Sequence, residues 1–342
     1  MVKSYHLYMK IFVTGIAGFL GGHIAKNLLL QGHEVSGCDN LIGGYIENVP
    51  EDAEFFQVDA IYLNQMKKMT KNVDVIIHTA CTAYEGLSVF SPYLVGQNTY
   101  QISMSTFTAA ADNGIQKVIN CSSMARYGHQ EKTPFTEDMI PLPQDPYGIA
   151  KLASEETLKV MSEVHDFQYV NLVPHNIIGP QQKYDDPYRN VVSIMINRIL
   201  QGKPPIIYGD GEQVRCFSDI DDVVNPLINS IFIEEAVGET INVGPDEDAI
   251  SIKDLATKIL KVLNSDLEPI FVPERPKEVK LAHCSAEKAR NILGYETTTS
   301  LDDSIEKIAE WIIKKGSKKF RYHLDIEILN EMTPNTWKDK LI

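Results

Sequence analysis

Two side chains in the segment Tyr147–Lys151 (YGIAK) are of types that move protons between a protein and its substrate. Tyr147 and Lys151 are four residues apart, so both project from one face if the segment is helical. An ammonium group beside a phenol stabilises the phenolate, and we expect Lys151 to lower the Tyr147 pKa from about 10 toward neutrality. Ser123 follows a strand-like run, where its hydroxyl can bridge the tyrosine and a substrate oxygen. Ser123, Tyr147 and Lys151 are therefore the predicted catalytic residues, with Tyr147 as the general base.

A glycine motif near the start of the chain indicates where a cofactor would bind. Gly15, Gly18 and Gly21 recur every third residue between the strand-like run Lys10–Thr14 and a helix-like run. Only glycine lets the backbone turn sharply there, approach a pyrophosphate and aim a helix N-terminus at the anion. Asp39 ends the second strand-like run, where its carboxylate would accept hydrogen bonds from a ribose and repel a 2′-phosphate. The pattern predicts NAD rather than NADP, and a bound nicotinamide cation would further stabilise a phenolate.

The first half of the chain alternates short apolar runs with helical ones. Strands are predicted at residues 10–14, 33–38, 53–58, 73–78, 117–121 and 167–173, and helices at 21–31, 64–70, 98–113 and 147–163. Near-continuous apolar strands that alternate with helices are typical of a parallel sheet covered on both faces. The predicted fold class is α/β: a Rossmann-type doubly wound parallel sheet with a smaller α/β substrate-binding lobe.

The composition changes beyond about Gly179, where a loop leads into helices and Pro-rich strand-like pieces. We predict a dinucleotide-binding domain over residues 1–178, to which 221–244 returns, and a smaller lobe formed by 179–220 and 245–342. Residues 1–8 are expected to extend beyond the core. The C-terminal segment from Lys314 to Ile342 is expected either to pack on a lobe or to contact a second subunit.

Composition and charge exclude several classes of function. The chain has 342 residues and a formal net charge of −14, so no basic surface favours nucleic acid or an anionic membrane. The five cysteines are far apart and odd in number, which favours reduced thiols over a disulfide framework or a metal site. No apolar run reaches transmembrane length, and the first residues are too polar for a signal peptide. We therefore expect a cytoplasmic protein without a metal.

Several motifs together resemble one known family. They are the glycine turn, Asp39-Asn40, Asp59, His78–Ala80, Asn98, Ser122-Ser123, Tyr147–Lys151 and Pro174–Asn176. They are similar to those of the extended short-chain dehydrogenase/reductase family, specifically its NAD-dependent nucleotide-sugar epimerases of the UDP-glucose/UDP-galactose 4-epimerase type. The resemblance covers about residues 9–315, and Gly209–Phe217 and Arg275–Glu278 resemble the second-lobe signatures of that family.

The resemblance implies two sets of binding residues. The implied NAD-binding residues are Gly15, Gly18, Phe19, Leu20, Gly21, Asp39, Asn40, Asp59, Ala60, Ala80, Asn98, Ser122, Tyr147, Lys151 and Pro174. The implied substrate-binding residues are Ser123, Asn176, Asn190, Tyr208, Arg215, Arg275 and Glu278. In this resemblance the two arginines hold the diphosphate, Glu278 takes a ribose hydroxyl and Tyr208 packs on the base.

The residues after Ser123 narrow the implied reaction. Dehydratases of the family carry an Asp-Glu pair there and decarboxylases carry a glutamate, but this chain has Met124 and Ala125, which neither donate nor accept protons. The resemblance therefore implies a 4-epimerase that interconverts an NDP-hexose, with UDP the commonest nucleotide, through a transient 4-keto sugar. It also implies a homodimer built from helices 98–113 and 147–163. A 4-keto-sugar reductase or dehydrogenase and a non-catalytic dinucleotide sensor are the alternatives.

Overall fold

The computed structural model describes residues 8–342, so the predicted extension at residues 1–8 lies almost entirely outside the described residues. The strands are β1 (Lys10–Thr14), β2 (Glu34–Cys38), β3 (Glu54–Phe56), β4 (Val75–His78), β5 (Lys117–Cys121), β6 (Gln168–Pro174), β7 (Ile177–Ile178), β8 (Ile206–Tyr208), β9 (Val214–Arg215), β10 (Ser218–Asp219), β11 (Thr240–Val243), β12 (Ile250–Ser251), β13 (Ile270–Val272) and β14 (Leu281–Ala282). The α-helices are α1 (Phe19–Leu30), α2 (Leu63–Met69), α3 (Glu85–Ser88), α4 (Pro92–Gly96), α5 (Ile102–Asn113), α6 (Pro146–His165), α7 (Val191–Leu200), α8 (Ile220–Asn229), α9 (Ile252–Val262), α10 (Glu287–Leu293), α11 (Leu301–Lys315) and α12 (Asn335–Lys338).

A parallel sheet of seven strands forms the centre of the larger lobe. Its strand order is β11-β6-β5-β4-β1-β2-β3, so the chain winds outward in both directions from β1. Thr14 at the end of β1 is level with Cys38 of β2 and His78 of β4. The carboxyl ends of these strands therefore meet at one edge, where ligands bind in open α/β sheets. The predicted fold class is confirmed.

The alternation of side chains along β1 places apolar groups on both faces of the sheet. Ile11 and Val13 are buried in a cluster with residues of α1 and α8, whereas Phe12 is buried in another cluster with residues of α5. A strand that is apolar on both faces needs a helical layer on each side to keep these groups out of water. This requirement explains why β1 has no alternating polar residues.

Three amphipathic helices build the core of the smaller lobe. Apolar residues of α7, α9 and α11 form one buried cluster, to which Ile207 of β8 belongs. Ser251 and Ser300 cap α9 and α11 by accepting the backbone N–H groups of Asp254 and Asp303. Between α7 and α9 the chain returns to the large sheet, because α8 packs on α1 and β11 pairs with β6. The domain boundaries themselves stay predictions.

The segment Gly316–Ile342, called the tail below, contains one short helix, α12. Leu324, Trp337 and Ile342 of the tail are buried in a cluster with Tyr84 and Tyr188 of the body of the protein. Within residues 8–342 no helix is both long enough and apolar enough to cross a membrane.

Candidate active site

One cavity of about 440 Å³ lies at the carboxyl ends of the central strands, between the large sheet and the smaller lobe. Every residue that the sequence predicts for catalysis, NAD or substrate lines this cavity. They come from segments as far apart as Gly15 and Glu278. Their individual roles stay predictions.

The glycine turn between β1 and α1 leaves no room for side chains. A Cβ on Gly21 would lie 2.2 Å from the carbonyl oxygen of Gly15, and one on Gly18 would lie 2.9 Å from the same oxygen. Gly15 has φ +75°, and a Cβ there would meet the backbone of Ala80 at 2.9 Å. The backbone can follow this path only with glycine at the three positions. The start of α1, whose first N–H groups have no partner within the helix, thus fits a pyrophosphate, as the sequence predicts for NAD.

Three polar residues at the ends of β2 and β3 stand where the adenosine half of NAD would lie. The Asp39 carboxylate accepts the backbone N–H groups of Ala17 (3.1 Å) and Leu41 (2.7 Å). Burial raises the pKa of Asp39, and these backbone donors oppose that effect. The Asn40 side chain donates to Asp59 Oδ2 at 2.8 Å. A positioned carboxylate therefore faces the cavity and suits a ribose diol better than a phosphate.

Helix α6 holds the tyrosine and the lysine. Asp145 caps this helix by accepting the Gly148 N–H at 2.9 Å, so Tyr147 lies in its first turn. The Lys151 Nζ lies 5.9 Å from the centre of the Tyr147 ring and donates to the Cys121 carbonyl at 2.7 Å. The carbonyl at the end of β5 thus holds the ammonium group beside the tyrosine.

The prediction that the protein's own groups lower the Tyr147 pKa is wrong. Burial raises the pKa of this phenol well above its usual value, with a further increase from Cys81, while a hydrogen bond with Ser123 and the charge of Arg189 act in the opposite direction. Lys151 is not among the main causes of this shift in the Tyr147 pKa, and its ammonium group donates to the Cys121 carbonyl. A phenolate at neutral pH therefore needs a further positive charge, and the nicotinamide cation is the source that the sequence analysis names.

Ser122 and Ser123 point to different partners although they are adjacent. Ser123 Oγ accepts the Ala125 N–H at 3.2 Å and lines the cavity near Tyr147. The Ser122 hydroxyl donates to the buried Glu155 carboxylate on α6, which also lies 3.1 Å from Nε of the buried Arg126. The Ser122 hydroxyl thus helps to fasten α6 to the end of β5.

The smaller lobe places a pair of arginines in the cavity. Arg275 donates two hydrogen bonds to Glu278, at 2.7 and 3.2 Å, and its guanidinium lies 4.6 Å from the centre of the Tyr208 ring. Arg215 Nη2 lies 3.9 Å from the same Glu278 carboxylate. Burial lowers the Arg215 pKa. Burial also acts to lower the Arg275 pKa, but Glu278, Tyr208 and Glu85 together raise it. Two guanidinium groups that share one carboxylate carry a net positive charge suited to a diphosphate.

The two predicted asparagines are held mainly by the backbone. Asn176 Nδ2 donates to the Cys216 carbonyl at 2.9 Å. The Asn190 side chain accepts the Val192 N–H at 3.2 Å, which caps α7, and donates to the Ile177 carbonyl at 3.3 Å. Both residues have positive φ, +44° and +58°, so both also shape loops. Their substrate contacts stay predictions.

The cavity contains residues beyond those predicted for catalysis or binding. Arg189 lies 5.9 Å from the Tyr84 ring and acts on the Tyr147 pKa, and its position beside Asn190 is the signal that could have found it. Glu85 lies near Asp145 and the arginine pair, and its side chain stays exposed. Ile342 also lines the cavity, and no local pattern could have indicated a residue so far along the chain. No group of metal-binding side chains occurs within residues 8–342.

The glycine cradle and the tyrosine–lysine pair beside it define the class of protein, an enzyme that acts on a substrate next to a bound dinucleotide. This chain belongs to the NAD-dependent epimerase/dehydratase family, whose model matches residues 11–244. The predictions of this family, of an enzyme and of NAD as its cofactor are confirmed.

Individual relatives match over nearly their whole length. UDP-glucose 4-epimerase of Mycolicibacterium smegmatis is 29% identical over 317 residues, which covers 90% of this chain and 100% of that protein. The structure of UDP-glucose 4-epimerase from Thermotoga maritima with UDP-glucose is 30% identical, with a TM-score of 0.84, and covers 90% of this chain and 99% of that chain. UDP-N-acetylglucosamine 4-epimerase from Methanobrevibacter ruminantium, solved with UDP-N-acetylmuramic acid, is 30% identical, has a TM-score of 0.84 and covers 91% and 100%.

Proposed function

We propose that this protein is an NAD-dependent 4-epimerase of a nucleotide hexose, with UDP as the nucleotide. The observation that carries the proposal is the arrangement along one cavity. Tyr147, Ser123 and Lys151 lie beside the glycine cradle, and Arg215 and Arg275 line the part of the same cavity that the smaller lobe forms. A substrate held by its diphosphate at the arginines can extend its sugar toward the tyrosine.

The residues that would hold NAD are distributed along the ends of β1 to β5. The backbone amides of Phe19 and Leu20 would bind the pyrophosphate, and Asp39 would bind the adenosine ribose. Lys151 would bind the nicotinamide ribose, which its position one helical turn from Tyr147 supports. NAD supplies a carbon centre that takes up a hydride from the sugar and returns it.

Proton transfer is the part of the reaction that this chain's own residues perform. Tyr147 would take the proton of the sugar 4-hydroxyl while C4 loses its hydride, which produces a 4-keto sugar. Ser123 would hold the C4 oxygen beside the phenol. After the keto sugar has turned over in the cavity, the hydride returns to the other face and Tyr147 gives its proton back to the oxygen. No atoms are gained or lost overall, so the reaction is an isomerisation.

The side chains around the sugar position argue against elimination at C5 and C6. Met124 and Ala125 form a short helical turn directly after Ser123, and neither can transfer a proton. Glu85 also lines this part of the cavity, but its electrostatic partners are Asp145 and the arginine pair rather than Tyr147. Glu85 is thus assigned to substrate binding, not to chemistry at C5.

Exposed apolar residues on α4 and α6 support the predicted homodimer, for which the family resemblance implies helices 98–113 and 147–163. Tyr93 is 69% exposed, and Ile149, Val160 and Val164 on α6 are 54%, 59% and 70% exposed. Such residues on adjacent helices favour association with a second copy. Light scattering after gel filtration tests this proposal, and a monomer at micromolar concentration would contradict it.

We also propose a cytoplasmic location, which the five free cysteines support.

A time course by NMR tests the function. Purified protein receives UDP-glucose, UDP-galactose or their N-acetyl forms, with no added NAD. Appearance of the C4 epimer would support the proposal and rank the sugars, and it requires NAD to stay bound between the two half-reactions. Turnover that begins only when NAD is added and then consumes it in stoichiometric amounts would instead identify a dehydrogenase. Binding without any conversion would favour a sensor.

A further inference from the structure

The tail reaches the cavity at the end where the nucleotide is proposed to bind. Ile342 lines the cavity directly, beside Ile194 and Ile206, which belong to the same apolar cluster. Arg198 Nη1 donates to the Leu341 carbonyl at 3.3 Å, so the last residues are fastened to α7. The tail thus forms part of the wall of the cavity through Ile342.

Thr336 connects the tail to a residue of the proposed nucleotide site. Its Oγ1 lies 2.6 Å from the hydroxyl oxygen of Tyr208, and Thr336 itself is only 3% exposed. Tyr208 has a second contact, because the Arg275 guanidinium lies over the face of its ring. The Tyr208 ring is therefore held at its hydroxyl end by Thr336 of the tail and on one face by Arg275, the proposed diphosphate-binding residue.

Trp337 of the tail packs beside Arg275, the second residue of the proposed nucleotide site that the tail reaches. A Cβ on Gly86 would lie 3.4 Å from Trp337 Cη2 and 3.5 Å from Arg275 Nη1, so Gly86 lies close to both the indole and the guanidinium. The indole also packs edge-on against Phe90 and Tyr188, with ring centres 6.3 and 5.6 Å apart. Trp337 thus limits where Gly86, and through it Arg275, can move.

We propose that the tail is a positioning and specificity element of the nucleotide site. Thr336 and Trp337 hold Tyr208 and Arg275 in place for the base and diphosphate, and Ile342 closes the apolar wall beside the base. The proposal rests on the proposed function, because it assumes that a nucleotide sugar binds at Tyr208. It assigns the tail to substrate binding and leaves proton transfer to α6.

Thr336→Val tests this proposal, and Thr333→Val is its matched control. Both threonines are buried in the tail, but the Thr333 hydroxyl bonds only within the tail, to Asn330 and Ile328. We expect Thr336→Val to weaken binding of UDP and to raise the Michaelis constant of the nucleotide sugar by about two- to tenfold, the effect of one lost hydrogen bond. The turnover number and NAD content should stay unchanged, a split that general destabilisation would not produce.

Ile342→Ala and Leu341→Ala provide a second, independent pair. Ile342 is 8% exposed and lines the cavity, whereas the adjacent Leu341 is 56% exposed and does not. Weaker UDP binding in calorimetry for Ile342→Ala alone would support the proposal. If wild-type protein binds UDP and both Thr336→Val and Ile342→Ala bind it as their controls do, the tail proposal is overturned. If wild-type protein binds no UDP at all, the proposed function fails and the tail proposal fails with it.

Discussion

Replacing Tyr147 by phenylalanine removes one oxygen atom from the centre of the proposed chemistry. A positioned general base contributes about 10²- to 10⁴-fold to the rate, which corresponds to about 3 to 5 kcal/mol of activation free energy. Tyr147 is 6% exposed, and a phenyl ring fills the same space, so packing is retained. We therefore expect Tyr147→Phe to lose at least 100-fold in turnover while it keeps its NAD, its affinity for UDP and its thermal stability.

Tyr127→Phe is the matched control. Tyr127 is fully buried, and its hydroxyl donates to Asn242 Oδ1 at 2.7 Å, but it does not line the cavity. Its loss leaves a buried amide oxygen without its partner and should cost about 1 to 3 kcal/mol of unfolding free energy with turnover unchanged. The two variants should thus show opposite effects on turnover and on stability.

The assay combines the NMR time course with calorimetric titration of UDP and a thermal melt. Tyr147→Phe that binds UDP normally but converts the sugar within tenfold of the wild-type rate would refute Tyr147 as the base. A lower melting temperature together with lost UDP binding would mean that the variant is misfolded, and Lys151→Met would then have to separate chemistry from folding.

Three further predictions concern the diphosphate, the cofactor and pH. Arg275→Ala should raise the Michaelis constant of the nucleotide sugar about 10- to 100-fold. Arg290→Ala, which breaks a surface ion pair with Asp246, is the control and should leave this constant unchanged. Equal Michaelis constants for the two variants would contradict the diphosphate assignment. Asp39→Ala should weaken NAD binding in fluorescence titrations and narrow the preference over NADP, and an unchanged preference would be evidence against the ribose contact. Burial lowers the pKa of His78 to about 3, so the folded protein takes up its proton less readily than the unfolded chain. Unfolding free energy in urea should therefore fall as the pH drops below about 6.5, and His78→Gln, unlike a change at the exposed His129, should flatten that decline; identical slopes would contradict the assignment.

The strands and helices of the first lobe could be predicted because their signals are local. The runs Lys10–Thr14 and Lys117–Cys121 are observed as β1 and β5 at the predicted bounds. The helix predicted over residues 98–113 is observed as α5 from Ile102, preceded by the wider turn Gln97–Gln101. That region faces the cavity through Asn98, and its backbone departs from a regular α-helix there.

The sequence did not predict how the groups in the cavity influence one another. It placed Lys151 beside Tyr147 but could not show that the ammonium group is held by the Cys121 carbonyl, or that burial raises the Tyr147 pKa. Burial and the field of a residue such as Arg189 depend on which distant segments pack around the phenol. These are properties of the folded chain, and no spacing in the sequence encodes them directly.

By itself, the sequence determined the family, the sheet and the residues that carry the proposed chemistry, because each is encoded by residue type within a short segment. The tertiary structure alone brought Ile342 and Thr336 to a cavity that starts at Gly15. A tail contact of this kind has no local signal, since it forms only when the folded chain brings the apolar side chains of the tail against Tyr84 and Tyr188.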